Sequence, residues 1–362
     1  MLLLKDIEEI TVEPTTDTTL RAYSHSMLNA IATCPTKGLI TYVADKVMSN
    51  AGRALPLEAG SASHECYAAA RLWQLGIYQG KSNHMDYHGK RLFPDGKYES
   101  MWIAAKGAGD VHRMDKRNAM LRFCLEAFYS YGYYDDPSDK RRTLTNIEEA
   151  LIAYLDRFDF KRNVWVANED DPTAPVGIEI PLDITITYVI PSQTRDLKIR
   201  FIGTADGVTE TKDELRLEEN KTASRLGEAW AMAWHTSHQQ TGYMMALSTL
   251  LGRPITRAAV HGMAIPLPRS YDAGGLMTET VSRTDQQFSD FLEWILHLVQ
   301  MIDMYGDDPA NAPKYTSACN NYFRACSLIP LCASDAETRA EFFDMMDKRE
   351  LSPTEEALND EQ

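Results

Sequence analysis

The sequence predicts a mixed α/β fold, of the α/β or α+β class, with a central mixed sheet flanked by helices. Two observations predict it. The middle of the chain holds three β-rich runs separated by turn residues, GIEIPLDITITYVI, DLKIRFIGTADGVTE and ELRLEENKT. The segments before and after these runs show helical periodicity, and helices around a strand-rich centre are typical of this class.

The N-terminal region predicts helices. One starts at Ser24 or Ser26 and is interrupted at Cys34 and Pro35, because proline disrupts a helix interior. An Ala-rich helix follows Gly60, and residues 101–160 are mostly helical with a break near YSYGYYDDPSDKRR.

After the β-rich centre, the helical period returns at Ala229. The run ITRAAVHGMAIPL then separates two helical stretches and predicts one more strand. We therefore expect a sheet of three or four strands. Residues 1–20 lack periodicity and predict a flexible arm, and residues 336–362 predict an acidic tail.

Composition restricts the class of protein. The chain has 362 residues, of which 44% are hydrophobic, and a net charge of −15. That charge argues against a protein that coats duplex nucleic acid, although a narrow basic groove remains compatible with it. No run approaches the roughly 18 apolar residues of a membrane span, so we expect a soluble, cytoplasmic protein without a membrane partner.

The second and third strands predict a charged hairpin end. Because strand side chains alternate between faces, Leu217, Glu219 and Lys221 share one face. A hairpin brings Asp206 beside Glu219, and two adjacent carboxylates repel unless a cation lies between them. Oxygen ligands of this kind suit Mg²⁺ or Mn²⁺. The alternative is a surface hairpin whose charges are incidental.

Several blocks in this order resemble the PD-(D/E)XK nuclease superfamily, in particular its RecB-like exonuclease branch. The matching blocks are GSASHE, with Gly60 and His64; IEIPLDI, with Glu179; GTAD, from Gly203 to Asp206; ENKT, from Glu219 to Thr222; and QQTGY, with Gln239 and Tyr243. The chain departs from the branch at Glu219, where aspartate is more frequent. The resemblance implies a restriction-endonuclease-like core.

The resemblance also implies roles for these residues. Asp206, Glu219 and the backbone carbonyl of Asn220 would hold Mg²⁺ or Mn²⁺, with His64 as a further ligand or a partner of one. Glu179 would be an additional candidate near the metal. The remaining catalytic residues would be Lys221, which positions the attacking water, and Gln239 and Tyr243, which orient the scissile strand or brace Lys221. Taken singly, each residue also fits an ordinary core or surface position.

The cysteines predict a second metal centre. Six are present, and disulfides are rare in a reducing compartment, so a cysteine cluster indicates a metal site. Cys319, Cys326 and Cys332 form a C-x6-C-x5-C run, and Cys34 precedes a proline far upstream. Four thiolates bind a [4Fe–4S] cluster or a zinc ion, and unligated core thiols are the alternative.

The layout of one cysteine before the core and three after it resembles the iron–sulfur staple of AddB-type nuclease domains. The resemblance thus implies a structural [4Fe–4S] cluster. It also implies one nuclease domain over residues 21–335, with a helical insertion at 65–160, a catalytic sheet core at 176–265 and the staple at 319–332.

A tyrosine-rich and basic segment predicts a nucleic-acid contact. Lys140, Arg141 and Arg142 follow Tyr131 and Tyr133, and aromatic rings beside cations stack bases and hold a strand backbone. The alternative is a loop with a solvated charge run.

The resemblance implies a metal-dependent DNA exonuclease that acts in replication, recombination or repair, in a cellular or viral setting, beside a helicase or recombination partner. Two alternatives remain. One is a non-catalytic DNA-end-binding or scaffold subunit of the same fold, and the other is a zinc or redox protein with incidental hairpin charges.

Overall fold

The structure is a computed structural model that describes most of the chain. The described residues are 6–48, 54–75, 116–157, 177–210, 214–267, 275–323 and 325–349. Parts of the predicted helical region, at 101–115 and 158–160, the turn of the central hairpin and residues 350–362 of the predicted tail lie outside the described residues.

Helices and strands occur in groups along the described residues. The helices are α1 (His25–Thr33), α2 (Pro35–Tyr42), α3 (Leu55–Leu75), α4 (Lys116–Ser130), α5 (Leu144–Arg157), α6 (Glu228–Trp234), α7 (His238–Leu251), α8 (Asp285–Tyr305), α9 (Ile329–Ala333) and α10 (Ala336–Asp344). The strands are β1 (Glu9–Pro14), β2 (Ala22–Ser24), β3 (Lys46–Val47), β4 (Ile178–Val189), β5 (Leu197–Glu210), β6 (Leu215–Ala223), β7 (Arg257–Ala264), β8 (Leu276–Ser282) and β9 (Asp347–Lys348).

Among the described residues the main sheet has seven strands, in the order β1-β4-β5-β6-β7-β8 with β2 paired to β5. It is mixed, because β2 lies parallel to β5 and β6 parallel to β7, whereas β5 and β6 form an antiparallel hairpin. In the hairpin Gly207 pairs with Glu218. The predicted mixed α/β class with helices flanking a central sheet is confirmed.

The chain divides into two compact units, each built from several segments. One comprises residues 1–53, 183–203 and 285–362, and the other comprises 54–182 and 204–284. In the second unit α3, α4 and α5 form a core with residues of β4, β7 and β8, including Tyr67, Phe128 and Tyr154. Strands β4 and β5 contribute residues to both units.

Several local predictions agree with the structure, and others need correction. Ser24 caps α1, which ends before Cys34, and α2 starts at Pro35. The Ala-rich helix begins before Gly60, at Leu55. Strand β1 lies within the predicted arm, and its pairing with β4 supplies main-chain partners that local periodicity does not reveal.

The C-terminal acidic segment and the strand count also differ from expectation. Helix α10 and strand β9 occupy the start of the predicted acidic tail, and β9 pairs with β3. The sheet has more strands than the three or four predicted, because β1, β2 and β8 join it. None of the helices within the described ranges is long and apolar enough to cross a lipid bilayer.

In the first unit a buried ion pair joins β4 to β5. The guanidinium of Arg200, only 1% exposed, donates to both carboxylate oxygens of Asp183 at 2.7–3.2 Å and to the carbonyl of Thr18 at 2.8 Å. Removing one partner of such a pair leaves an uncompensated buried charge.

We therefore expect Arg200→Met to lower the free energy of unfolding by about 3–5 kcal/mol. Urea unfolding monitored by circular dichroism measures the change. Arg195→Met is the matched control, because Arg195 is exposed and surface substitutions stay within about 0.5 kcal/mol. Equal stability of the two variants would contradict this account of the buried pair.

Candidate active site

Helix α3 brings His64 to the hairpin. His64 Nδ1 lies 3.2 Å from Asp206 Oδ1. One turn earlier, a methyl group at Gly60 would lie 3.5 Å from Thr222 Oγ1, so α3 packs closely against β6 at this glycine. Both features of the predicted GSASHE block therefore lie beside the hairpin end.

Glu179 completes a group of candidate metal ligands. One ligand atom each from His64, Glu179 and Asp206 lie within 4.8 Å of one another. Glu179 has a φ of 46°, in the left-handed region, where non-glycine residues are uncommon. Such backbone strain costs on the order of 1–3 kcal/mol and is concentrated at functional sites. The strain therefore marks Glu179 as a residue held in place by its surroundings.

Asp206 is fixed by the next strand. Its Oδ2 accepts hydrogen bonds from the backbone nitrogen of Asn220 at 2.6 Å and from Asn220 Nδ2 at 3.2 Å. The Asn220 Oδ1 in turn accepts a hydrogen bond from Tyr154 Oη at 2.5 Å. Because β6 and α5 both contribute, Asp206 Oδ1 is left directed toward His64.

Glu219 and Lys221 share a face of β6, as the period of two predicts. The Lys221 ammonium pairs with Glu219 Oε1, and Gln239 Nε2 donates to the same oxygen at 3.3 Å. The other oxygen, Oε2, is buried and has no hydrogen-bond partner among the described residues. A buried carboxylate oxygen without a donor is costly, and a cation relieves that cost. Tyr243 lies one turn after Gln239 on α7 and is buried.

The carboxylates shift one another's pKa values. Burial raises the pKa of Glu219 and the Asp206 charge raises it further, to about 7. Burial and Asp206 raise the pKa of Glu179 to about 8. Burial also acts to raise the pKa of Asp206, but His64 and Lys221 outweigh it and lower that pKa to about 2. Asp206 is thus the carboxylate that stays ionised, and the site favours a cation in place of protons.

The two bases at the site are held in their charged forms. Burial lowers the pKa of His64, but the Asp206 carboxylate outweighs burial and raises it to about 9. Burial likewise lowers the pKa of Lys221, and the charges of Glu219 and Asp206 raise it well above its usual range. Lys221 is therefore a hydrogen-bond donor and a positive charge, and it is a poor general base near neutral pH.

This geometry agrees with the comparison to known proteins. A sequence-family model described as the PD-(D/E)XK nuclease superfamily matches residues 22–333, which is most of the chain. The chain belongs to the PD-(D/E)XK nuclease superfamily. No curated protein matches the sequence. Membership implies a metal-dependent nuclease, and the His64, Glu179 and Asp206 group could hold the divalent metal.

Sequence reasoning missed Glu218, the neighbour of the superfamily glutamate. Glu218 is buried on the opposite face of β6 and accepts from Thr209 Oγ1, Arg216 Nη2 and His261 Nε2, each at 2.6 Å. Since Nε2 of His261 donates to a carboxylate, its Nδ1 is the atom that accepts from Thr278 Oγ1 at 3.0 Å. Burial lowers the pKa of His261, which agrees with a neutral ring. Period-two alternation places Glu218 away from Glu219 but cannot show that both faces of β6 are buried.

Arg71 was also missed. It lies on α3 two turns after His64, is 5% exposed, and its Nε has no hydrogen-bond partner within the described part of the chain. A methyl group at Gly207 would lie 2.8 Å from Cζ and Nη1 of Arg71, so the guanidinium occupies the space that a side chain would need. Gly207, the residue after Asp206, therefore leaves the space that the Arg71 guanidinium occupies. The role of Gly203 in the predicted block stays a prediction.

The predicted nucleic-acid residues separate into two groups. Tyr131, Lys140 and Arg141 are exposed. Tyr133 is only 7% exposed, and its hydroxyl donates to the carbonyl of Arg142 at 2.6 Å. The prediction that Tyr133 contacts nucleic acid is therefore corrected. Tyr133 is buried beneath the basic loop and stabilises it through the hydrogen bond to Arg142.

The contact between Arg71 and Gly207 gives a paired prediction. Gly207→Ala should lower the free energy of unfolding by about 1–3 kcal/mol, because the buried Arg71 cannot move aside without loss of packing. Gly60→Ala should keep or raise stability, by up to about 1 kcal/mol, because its methyl group meets only an ordinary contact and alanine favours a helix. Urea unfolding compares the two. An unchanged stability of Gly207→Ala would show that the guanidinium yields freely.

Proposed function

We propose that this chain is a Mg²⁺- or Mn²⁺-dependent DNA exonuclease of the RecB-like branch. The observation that carries the proposal is the buried Glu219 Oε2, which has no hydrogen-bond donor within the described part of the chain and lies on the strand next to the charged Asp206. The ordered RecB-like blocks support the branch, and the superfamily's chemistry supports the reaction. We include in the same proposal that the enzyme acts on the ends of DNA during replication, recombination or repair. It would do so in the cytoplasm or in a virus-infected cell, beside a helicase or recombination partner.

The residues present fit a divalent metal. Asp206 and Glu219 offer carboxylate oxygens, the carbonyl of Asn220 offers a third oxygen, and His64 and Glu179 lie beside Asp206. Oxygen-rich sites of this kind suit Mg²⁺ and Mn²⁺. A bound metal lowers the pKa of water and neutralises charge on the phosphate.

The protein's own residues supply orientation and charge. Lys221, paired with Glu219, donates hydrogen bonds to the attacking water or to a phosphate oxygen, since its raised pKa keeps it protonated. Gln239 holds Glu219 through Oε1, which leaves Oε2 for the metal. Tyr243 is buried one turn from Gln239, and the Glu219 carboxylate and burial raise its pKa to about 12, so its hydroxyl remains a donor.

A non-catalytic DNA-end-binding subunit is the competing function. Such a subunit has no need to keep an ionised aspartate, a glutamate and a lysine in contact. The retained Glu219–Lys221 pair and the nearby Asp206 therefore favour catalysis.

Replacement of the lysine tests the proposal. Lys221→Ala should lower the rate of Mg²⁺-dependent degradation of end-labelled DNA by about 100-fold or more, the effect of removing one preorganised donor. Folding, followed by circular dichroism, should persist. Lys198→Ala is the matched control, because Lys198 is an exposed lysine on β5. If the parent protein cuts neither single-stranded nor double-stranded DNA with either metal, the proposed activity is wrong.

We also propose that Cys34, Cys319, Cys326 and Cys332 hold a structural [4Fe–4S] cluster. All four line one cavity of about 200 Å³ in the first unit, together with Lys37 and Lys314. Burial raises the pKa of Cys332, Lys314 opposes this, and the other three cysteines raise it further, so the four thiols act on one another. A cluster there would join the two ends of the chain and reduce the entropy of the unfolded state.

The spacing of the cysteines favours a cluster over zinc. Four thiolates on one tetrahedral zinc ion, with bonds of about 2.3 Å, must lie within roughly 4 Å of one another. Among the described residues, no three cysteines have sulfur atoms that all lie within 4.8 Å. Thiolates that bind separate iron atoms of one cluster do not need such close contact.

Cys332→Ala should remove the iron and sulfide from anaerobically purified protein, together with its visible absorbance. Cys124→Ala should retain both, since Cys124 lies in the core of the other unit. Metal and sulfide analysis measures the result. Stoichiometric zinc without sulfide, or iron that persists in Cys332→Ala, would contradict the cluster.

A further inference from the structure

We propose that a single-stranded segment of the substrate binds along a surface formed by α6, Arg225 and the loop from Lys140 to Arg142. We call it the α6 surface. The inference deepens the proposed nuclease function and rests on it, because it assigns the form of nucleic acid and a binding site beside the active site.

Helix α6 is apolar after its first residue, and each of its residues is either exposed or half-buried. Its sequence is EAWAMAW, in which six of seven residues are apolar, and none of the seven is buried within the described structure. Met232 is 58% exposed. A helix that is hydrophobic all round is normally buried, and an exposed apolar patch of this kind marks a binding surface.

The α6 surface is continuous with the candidate active site. The segment that contains α6 begins after Lys221 and ends before Gln239, and both of these residues contact Glu219. Arg225 and then α6, which starts at Glu228, follow Lys221 in this segment, so the α6 surface comes directly after the proposed phosphate contact along the chain. This continuity favours the substrate itself as the occupant.

Positive charge lies beside the apolar helix. Arg225 is exposed, and no carboxylate pairs with it among the described residues. Arg142 Nη2 donates to Ser224 Oγ at 2.8 Å and so joins the basic loop to the end of β6. Lys140 and Arg141 are exposed in that loop. Cations that follow a backbone next to apolar and aromatic side chains are the elements of single-strand binding.

The helix is also held in a fixed position. Arg283 Nη2 donates to the carbonyl of Trp234 at 2.7 Å, and its Nε donates to Thr241 Oγ1 at 2.7 Å, which joins the end of α6 to α7. A methyl group at Gly262 would lie 2.7 Å from the ring of Trp230, so this ring packs directly on β7. Such preorganisation lowers the entropic cost of binding.

The chemistry favours a single strand over a duplex. Bases stack on protein side chains only when they are unstacked from their neighbours, which single strands permit. A chain with net charge −15 is poorly suited to coat a duplex through its phosphates alone. A localised surface with an apolar centre and a basic edge avoids that difficulty.

The test measures equilibrium binding of a fluorescein-labelled single-stranded oligodeoxynucleotide by full-length protein in EDTA, where no cleavage occurs. Met232→Asp should weaken binding by about fivefold or more, because burial of the thioether against a base is lost. Met304→Asp is the matched control, since Met304 is an exposed methionine on α8 and the charge change is identical. The parent protein should bind an abasic oligonucleotide more weakly than the normal strand. In Met232→Asp the affinities for the two oligonucleotides should be nearly equal.

Arg225→Ala should reduce the slope of log affinity against log salt by about 0.7, the value for one lost phosphate contact on a single strand. Arg195→Ala, which changes an exposed arginine in the first unit, should leave the slope unchanged. A purely structural role of Arg225 would not alter this slope.

The outcomes separate the two proposals. If Met232→Asp and Arg225→Ala bind single strands with the parent's affinity and salt slope, the α6 surface is wrong even when the parent cuts DNA. The α6 surface is also wrong if these variants weaken the binding of duplex DNA as much as that of single strands, or if the parent protein binds no oligonucleotide. If the parent binds single strands through these residues but never cuts, the proposed nuclease function fails while the α6 surface stands.

Discussion

The site depends on the burial of several carboxylates at one end of a hairpin. Asp206 and Glu219 lie on neighbouring strands, and Glu179 lies close to Asp206. Buried negative charges repel and lose hydration, so they persist only with compensating partners. Each charged residue around the hairpin end is explained by this requirement. Glu219 Oε2 has no hydrogen-bond partner among the described residues, and we propose that a cation supplies this missing compensation.

The fold supplies the compensation from two elements. Helix α3 presents His64 and Arg71 two turns apart on one side, and β6 presents Lys221 two residues after Glu219. These contacts place α3 against the hairpin, where a Cβ at Gly207 would lie 2.8 Å from the Arg71 guanidinium and one at Gly60 would meet Thr222 Oγ1 at an ordinary contact distance. The packing of one helix on one hairpin thus determines both the charge and the geometry of the site.

Period-two alternation was sufficient to predict the hairpin, the shared face of Glu219 and Lys221, and the position of Asp206. The ordered blocks were sufficient to predict His64 and Glu179 beside them. Arg71 could not be predicted, because its contact with Gly207 joins distant parts of the sequence. Strand β1 was missed for the same reason, since its hydrogen-bond partners belong to β4. Burial of Tyr133 could not be inferred from a tyrosine-rich, charged segment, which resembles an exposed loop in composition.

The exposure of α6 follows from the constraints on its two ends. Lys221 and Gln239 must both reach Glu219, so the intervening segment has to leave the sheet and return to the same carboxylate. Arg283 then fixes the return of the chain into α7. A polar helix would satisfy these constraints without exposing apolar surface. Trp230 packs on β7, whereas Met232 is 58% exposed, and this exposed side chain in the segment that follows Lys221 is the feature from which we infer the α6 surface.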